Sequence, residues 1–145
     1  MLELIELLNE KSGTPKNFKS VAGIAFLQEK KFVSTAEREK IKDLNDLPVP
    51  NRKKINLQLY LDAWNEYHGK NAISVSTMRG CPYTCKWCSR SVYGLSYRRR
   101  SPEKVVEELE LIKKDYHPDS LWFVDDVFTI SHKWLASFRD ELNKK

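Results

Sequence analysis

The sequence predicts an α/β fold with a parallel sheet. Three observations carry that expectation: an alternating apolar run at residues 72–78, a strongly capped helix start at Ser101, and a short apolar run at residues 121–124 that leads into another capped helix. The order strand, loop, helix, strand, helix favours parallel strands joined by right-handed crossovers, because a helix between two strands returns the chain to the same edge of the sheet. A chain of 145 residues can enclose one modest core. With 41% hydrophobic and 31% charged residues and no low-complexity tract or repeat, it has the composition of a folded globular protein rather than a disordered one.

Taken in order, Leu4, Ile5 and Leu8 stand at helical spacing and Leu7 widens the stripe, so the first residues read as a helix. No capping residue precedes them, and Lys11 to Gly13 supplies a stop. Val21 to Leu27 and Phe32 to Thr35 flank the polar "QEKK" and predict two strands joined as a hairpin. The segment "KDLNDLPVPNRKK" contains Pro48 and Pro50, which remove backbone donors, and reads as an extended connector. A boundary near residue 50 follows, with residues 51–71 as a linker segment. Within it, "INLQLYLDAWNEYH" is compatible with a short helix or an extended stretch.

"AISVSTM", Ala72 to Met78, alternates as a strand does and delivers the chain into "RGCPYTCKWCSR". Ser101, Pro102 and Glu103 then give a hydroxyl cap, a proline at the first helical position and a carboxylate at the positive end of the dipole. Val105, Leu109 and Ile112 mark the buried face of that helix, and "HPDS" ends it. "LWFV" reads as a buried strand with Trp122 and Phe123 in the core, and "SHKWLASFRDEL" as a helix packed through Leu135, Phe138 and Leu142. Two such βα units cannot close a barrel. They are expected to leave apolar faces open, and the sequence reads as a piece of something larger.

Charge and cysteine usage narrow the function. Twenty-five basic and 20 acidic residues are interspersed, and Arg98 to Arg100 is the compact basic run, a pattern that argues against a nucleic-acid partner. No stretch approaches the roughly 18 apolar residues of a membrane span, and the start, "MLELIELLNE", is acidic where a signal peptide would be basic. The expected setting is cytoplasmic. The three cysteines, Cys81, Cys85 and Cys88, cannot all pair within one chain, so a disulfide framework is disfavoured. Clustered thiols in a reducing compartment bind metal or carry out redox chemistry.

Their spacing is C-x3-C-x2-C. Soft thiolates suit iron–sulfur clusters or zinc, and a short loop can bring three sulfurs to three corners of one cubane. The fourth iron then lacks a cysteine from this loop, and an open iron can coordinate a substrate or cofactor. Zinc is the principal rival; a fourth ligand would have to come from His68, His117, His132 or a carboxylate at no recognisable spacing.

The stretch Cys81-Pro-Tyr-Thr-Cys85-Lys-Trp87-Cys88, with the strand before it and the "RRRSPEKVVEEL" helix start after it, resembles the radical S-adenosylmethionine (radical SAM) enzymes. In that family C-x3-C-x-aromatic-C lies on the loop after the first strand of a partial (β/α) barrel of the TIM type. The resemblance spans roughly residue 72 to the end and implies that residues 72–145 are the first two βα units of that core. It implies a [4Fe-4S] cluster held by Cys81, Cys85 and Cys88, with S-adenosylmethionine chelated to the open iron. An external low-potential electron donor would reduce the cluster, which cleaves the sulfonium and releases a 5′-deoxyadenosyl radical.

Trp87 matches the aromatic position that lies near the adenine in this family; apolar shielding of the cluster is the compatible alternative. Asp125 and Asp126, at the end of the second strand, stand where the family often places a carboxylate or Gly-Gly-Glu-like motif on the methionine ammonium, although the Gly-Gly-Glu pattern itself is absent. Two solvated turn residues are the plainer reading of that pair. Arg98 to Arg100 reads as a solvated basic cluster, with a contact to a carboxylate or anionic substrate as the other role.

Residues 23–52 are similar to the stretch that joins an N-terminal cobalamin-binding domain to the barrel in the B12-associated subgroup. Residues 1–50 would then be the C-terminal remnant of such a domain with its connector. The Asp-x-His-x-x-Gly signature of cobalamin ligation does not occur, so the resemblance implies cobalamin only for a full-length parent. It implies methyl transfer, cyclisation or a similar radical reaction on an unknown substrate. No residue is assigned to catalysis, and the contrasting reading is a non-catalytic metal-binding or electron-transfer module.

Overall fold

The computed structural model describes residues 2–9, 17–89 and 93–145. The chain divides into two compact units, Met1–Ile41 and Lys42–Lys145.

In the first unit, helix α1 (Leu2–Asn9) buries Leu7. The stop expected at Lys11 to Gly13 lies outside the described residues. Strands β1 (Ala25–Gln28) and β2 (Lys31–Ser34) pair antiparallel, Phe26 opposite Val33, so the hairpin forms but is shorter than the apolar runs suggested. Its turn is Glu29-Lys30, with φ of 49° and 65°. Two consecutive left-handed residues give the twist that a two-residue hairpin needs, a geometry that these side chains adopt without the usual Asn-Gly. Thr35 closes the open end: its Oγ1 accepts from the Ile24 N–H at 3.0 Å and donates to the Ile24 carbonyl at 3.1 Å. Arg38 grips Glu3 with two hydrogen bonds, of 3.2 and 2.6 Å, which hold the Glu3 carboxyl below the usual carboxylate range.

The second unit opens with short 3-10 turns at Leu44–Asp46 and Arg52–Lys54. Of the two readings open for residues 55–68, the helix holds: α2 (Leu57–His68) buries Leu61 and ends at Gly69, whose φ of 72° lets its N–H reach the Asn65 carbonyl. Strand β3 (Ala72–Val75) is followed after a bend by β4 (Met78–Arg79), which pairs antiparallel with β5 (Arg98–Arg99).

Helix α3 (Pro102–Tyr116) starts where the sequence predicts, with the Ser101 hydroxyl accepting from the Lys104 N–H. Glu103's own backbone N–H, and then the Ser101 hydroxyl, hold its carboxyl below the usual range, as an acid in a first helical turn should be held. Strand β6 (Ser120–Phe123) pairs parallel with β3, Val75 opposite Phe123, so α3 is the crossover of a βαβ unit. Helix α4 (His132–Leu142) is capped by Ser131 and packs on α3.

The fold is thus mixed α/β with small sheets. Leu61, Ile73, Val75 and Ile112 form one core cluster, and Val105, Val106 and Phe138 another, bridged by Leu109 and Phe123. Each such side chain contributes about 1.5–3 kcal/mol by leaving water.

One expectation is corrected: β6 is not a buried strand. Trp122 is 56% exposed and Leu121 37%. Among the described residues β6 pairs with β3 alone, and α3 and α4 cover the side that receives Phe123, which leaves Trp122 at 6.1 Å from Trp64, edge to face, with an open flank. Among the described residues no helix is long and apolar enough to cross a membrane.

Candidate functional site

The cysteine loop leaves the sheet at a base that is closely held. The two-residue ladder of β4 and β5 brings Arg79 opposite Arg98 and so joins the loop's outgoing and returning legs. Gly80 sits against that returning leg with φ of 77°; a Cβ there would lie 1.9 Å from the Ser96 carbonyl oxygen, so only glycine permits the approach.

Thr77, fully buried, lies at the centre. Its carbonyl accepts from the Arg100 N–H at 2.8 Å, and its hydroxyl accepts from Arg99 Nε at 3.2 Å and donates to the Asp125 carboxylate. Asp125 also takes the Thr77 N–H at 2.7 Å and the Met78 N–H at 3.1 Å, and the Ser76 hydroxyl, which donates to the Met78 carbonyl at 3.0 Å, lies 3.3 Å from the same carboxylate.

The tip contrasts with this. Cys81 is half-buried, while Cys85 and Cys88 are exposed. The Cys88 N–H donates to the Cys85 carbonyl at 3.2 Å, a turn that keeps those two residues together. Trp87 between them is 90% exposed and Tyr83 is 55% exposed. Among the described residues no three His, Cys, Asp or Glu side chains are gathered closely enough to hold a metal ion. The donor set is nonetheless chemically consistent with an iron–sulfur group: three thiols on one loop, two of them at the surface and outside the packed core.

The two aspartates separate. Asp125 is half-buried and engaged with the β3–β4 bend, whereas Asp126 is exposed. His68, His117 and His132 are exposed, as isolated histidines at helix ends should be.

Arg98 to Arg100 is not a solvated cluster. Arg100 reaches back to Glu108, which Arg52 also grips at 2.6 Å, and Glu108 is 1% exposed. The guanidinium groups of Arg52 and Arg100 also donate to the Ser74 and Ser76 carbonyls, both at 3.3 Å. Arg99 lies over the Trp134 ring, 3.5 Å from its centroid, and its two terminal nitrogens are buried without a hydrogen-bond partner among the described residues. Trp134 in turn donates from Nε1 to the Arg100 carbonyl at 2.8 Å. These arginines brace the strand ends below the loop.

Sequence reasoning missed Glu108, although a signal was present: it falls between Val105 and Ile112 on the apolar stripe of α3, and a carboxylate at such a position requires buried cationic partners.

The chain is similar to an uncharacterized methyltransferase of Pyrococcus horikoshii, 28% identical over 132 residues that make up 90% of this chain and 27% of the relative. It is 32% identical to the anaerobic magnesium-protoporphyrin IX monomethyl ester cyclase of Cereibacter sphaeroides over 124 residues, 86% of this chain and 20% of that enzyme. A shorter match of 55 residues, 42% identical, covers 37% of this chain and 10% of the hopanoid C-3 methylase of Methylococcus capsulatus. The chain therefore spans about a quarter or less of these relatives. No family model and no solved structure matches.

Proposed function

We propose that this chain belongs to a radical SAM enzyme and contributes the loop that holds its [4Fe-4S] cluster. The observation that carries the reading is C-x3-C-x-Trp-C on the loop between β4 and β5, with Cys81 half-buried and Cys85 and Cys88 exposed. The relatives' names, two methyl-transferring enzymes and a ring-forming one, support it.

In this reading Cys81, Cys85 and Cys88 ligate three irons, and Trp87 and the Asp125–Asp126 pair serve S-adenosylmethionine, the indole beside its adenine and a carboxylate beside its ammonium. When bound, the cluster would supply the electron that cleaves the sulfonium to methionine and a 5′-deoxyadenosyl radical. The protein's part is to position the thiolates and exclude water, and a loop mounted on strand ends serves positioning. The segment β3, loop, α3, β6, α4 would be the first two βα units of a partial barrel. Residues 23–52 would belong to the junction with a cobalamin-binding domain. Methyl transfer or cyclisation is the reaction class, with cobalamin in the complete protein and an external low-potential electron donor in the cytoplasm.

Anaerobic reconstitution with iron and sulfide tests the reading. The wild-type chain should take up about four irons per chain, and Cys81→Ala, Cys85→Ala and Cys88→Ala should each lose most of that uptake. In the full-length protein, a low-potential reductant with S-adenosylmethionine should yield 5′-deoxyadenosine. Stoichiometric zinc without iron uptake would instead establish a zinc-binding module.

A further inference from the structure

The Asp125–Asp126 pair can be resolved into two different roles. An ionised carboxylate offers about four lone-pair positions. Asp125 accepts from three donors on two consecutive residues: Oδ1 from the Thr77 N–H at 2.7 Å and the Met78 N–H at 3.1 Å, and Oδ2 from the Thr77 hydroxyl, while the single Ser76 hydroxyl proton lies between the Met78 carbonyl at 3.0 Å and Oδ1 at 3.3 Å. The direction of the last bond is fixed chemically. Arg99 Nε donates to Thr77 Oγ1 and a guanidinium has no acceptor, so the threonine's own proton is turned toward Asp125. A chain of contacts thus runs from Asp125, two residues past the end of β6, through the fully buried Thr77, to β5 on the returning leg of the cysteine loop.

Without Asp125, the Thr77 and Met78 N–H groups would lose the acceptor that they share, at the point where β3 ends and the chain turns into β4. Asp126 is exposed and accepts no such set of bonds among the described residues.

Resting on the radical SAM reading, we infer that Asp125 is a positioning residue for the cysteine loop, a clamp that sets the direction in which Cys81 to Cys88 leave the sheet, and that Asp126 is the carboxylate of the pair left to face a ligand. Removing the Asp125 carboxylate frees the bend between β3 and β4 and shifts the thiolates relative to the end of β6, while every cysteine remains. The donor set would persist and its geometry would change.

The test compares the 145-residue wild type with Asp125→Ala, Asp125→Asn and Thr77→Val. In the metal-free chain, amide hydrogen exchange at Thr77 and Met78 should quicken roughly tenfold or more in Asp125→Ala, as expected when buried N–H groups lose their acceptor. Asp125→Asn should recover most of that protection, because its amide oxygen still accepts both N–H groups. Thr77→Val keeps the backbone bonds and loses only the hydroxyl link. It should leave Met78 protected and serves as the folded reference should Asp125→Ala lose its circular-dichroism signal.

After reconstitution, the electron paramagnetic resonance spectrum of the reduced cluster, with and without S-adenosylmethionine, should differ from wild type in Asp125→Ala and move back toward it in Asp125→Asn. Unchanged exchange, or a wild-type spectrum and response to S-adenosylmethionine in Asp125→Ala, overturns the clamp. A wild-type chain that takes up no cluster refutes the radical SAM reading itself, and the inference falls with it.

Discussion

The base and the tip of the cysteine loop differ in almost every physical respect. At the base, Thr77 is wholly buried, Asp125 accepts the Thr77 and Met78 N–H groups and the Thr77 hydroxyl, Gly80 is pressed against the opposite leg and Arg100 is locked onto Glu108. At the tip, Cys85 and Cys88 are exposed and Trp87 is 90% exposed. The difference teaches that burial and hydrogen bonding in this region are concentrated where the loop leaves the sheet, and that the side chains with ligating chemistry lie beyond it. A loop that must accept a bulky group between its own thiols would be served by that division, since a rigid tip packed on its own apolar residues would have to be dismantled first.

The contrast can be broken from the base outward. Glu108→Ala should be the most damaging substitution, because it strands two half-buried guanidinium groups beneath the strand ends. A loss of about 3–5 kcal/mol is expected, read by urea denaturation. Replacing the pair by well-packed apolar residues would cost far less, so Glu108→Ala in a background of Arg100→Met should recover part of the loss and would separate unpaired charge from lost packing.

Gly80→Ala comes next. A left-handed φ together with a Cβ at 1.9 Å from a backbone carbonyl that cannot rotate away should cost about 1–3 kcal/mol and loosen the β4–β5 ladder, seen as faster exchange at its amides. Trp87→Ala should be the mildest for stability, within about 0.5 kcal/mol, since the indole is at the surface. If Trp87→Ala instead destabilised the metal-free chain as much as Gly80→Ala does, the distinction between base and tip would be wrong.

The two strands of the parallel pair sharpen the same point about legibility. The alternation in residues 72–78 is visible because β3 has one face on α2 and α3, which buries Ile73 and Val75 and leaves Ser74 exposed. "LWFV" reads as continuously apolar and suggests burial on both faces, yet Trp122 stands half in solvent. The residues are those of a strand covered on both sides, and composition cannot say whether the cover is within reach. The helix starts at Ser101 and Ser131 are legible because capping is local: a hydroxyl and the N–H three residues on suffice. Arg98 to Arg100 was illegible as a brace for the opposite reason. Its partners, Glu108, Thr77 and Trp134, come from α3, the bend between β3 and β4, and α4.

The amino-acid sequence by itself determined the local features: the strand that enters the cysteine loop, the capped helix that leaves it, the spacing of Cys81, Cys85 and Cys88, and the soft-metal chemistry that such spacing permits. These depend on interactions between residues a few positions apart, so their signals are written in short stretches of chain. Only the tertiary structure decided that Asp125 folds back on Ser76, Thr77 and Met78 and that Glu108 is held by Arg52 and Arg100. Those contacts join groups some 8 to 56 residues apart, and in each a charge leaves water only where burial and a matched partner coincide. That coincidence is a property of packing in three dimensions.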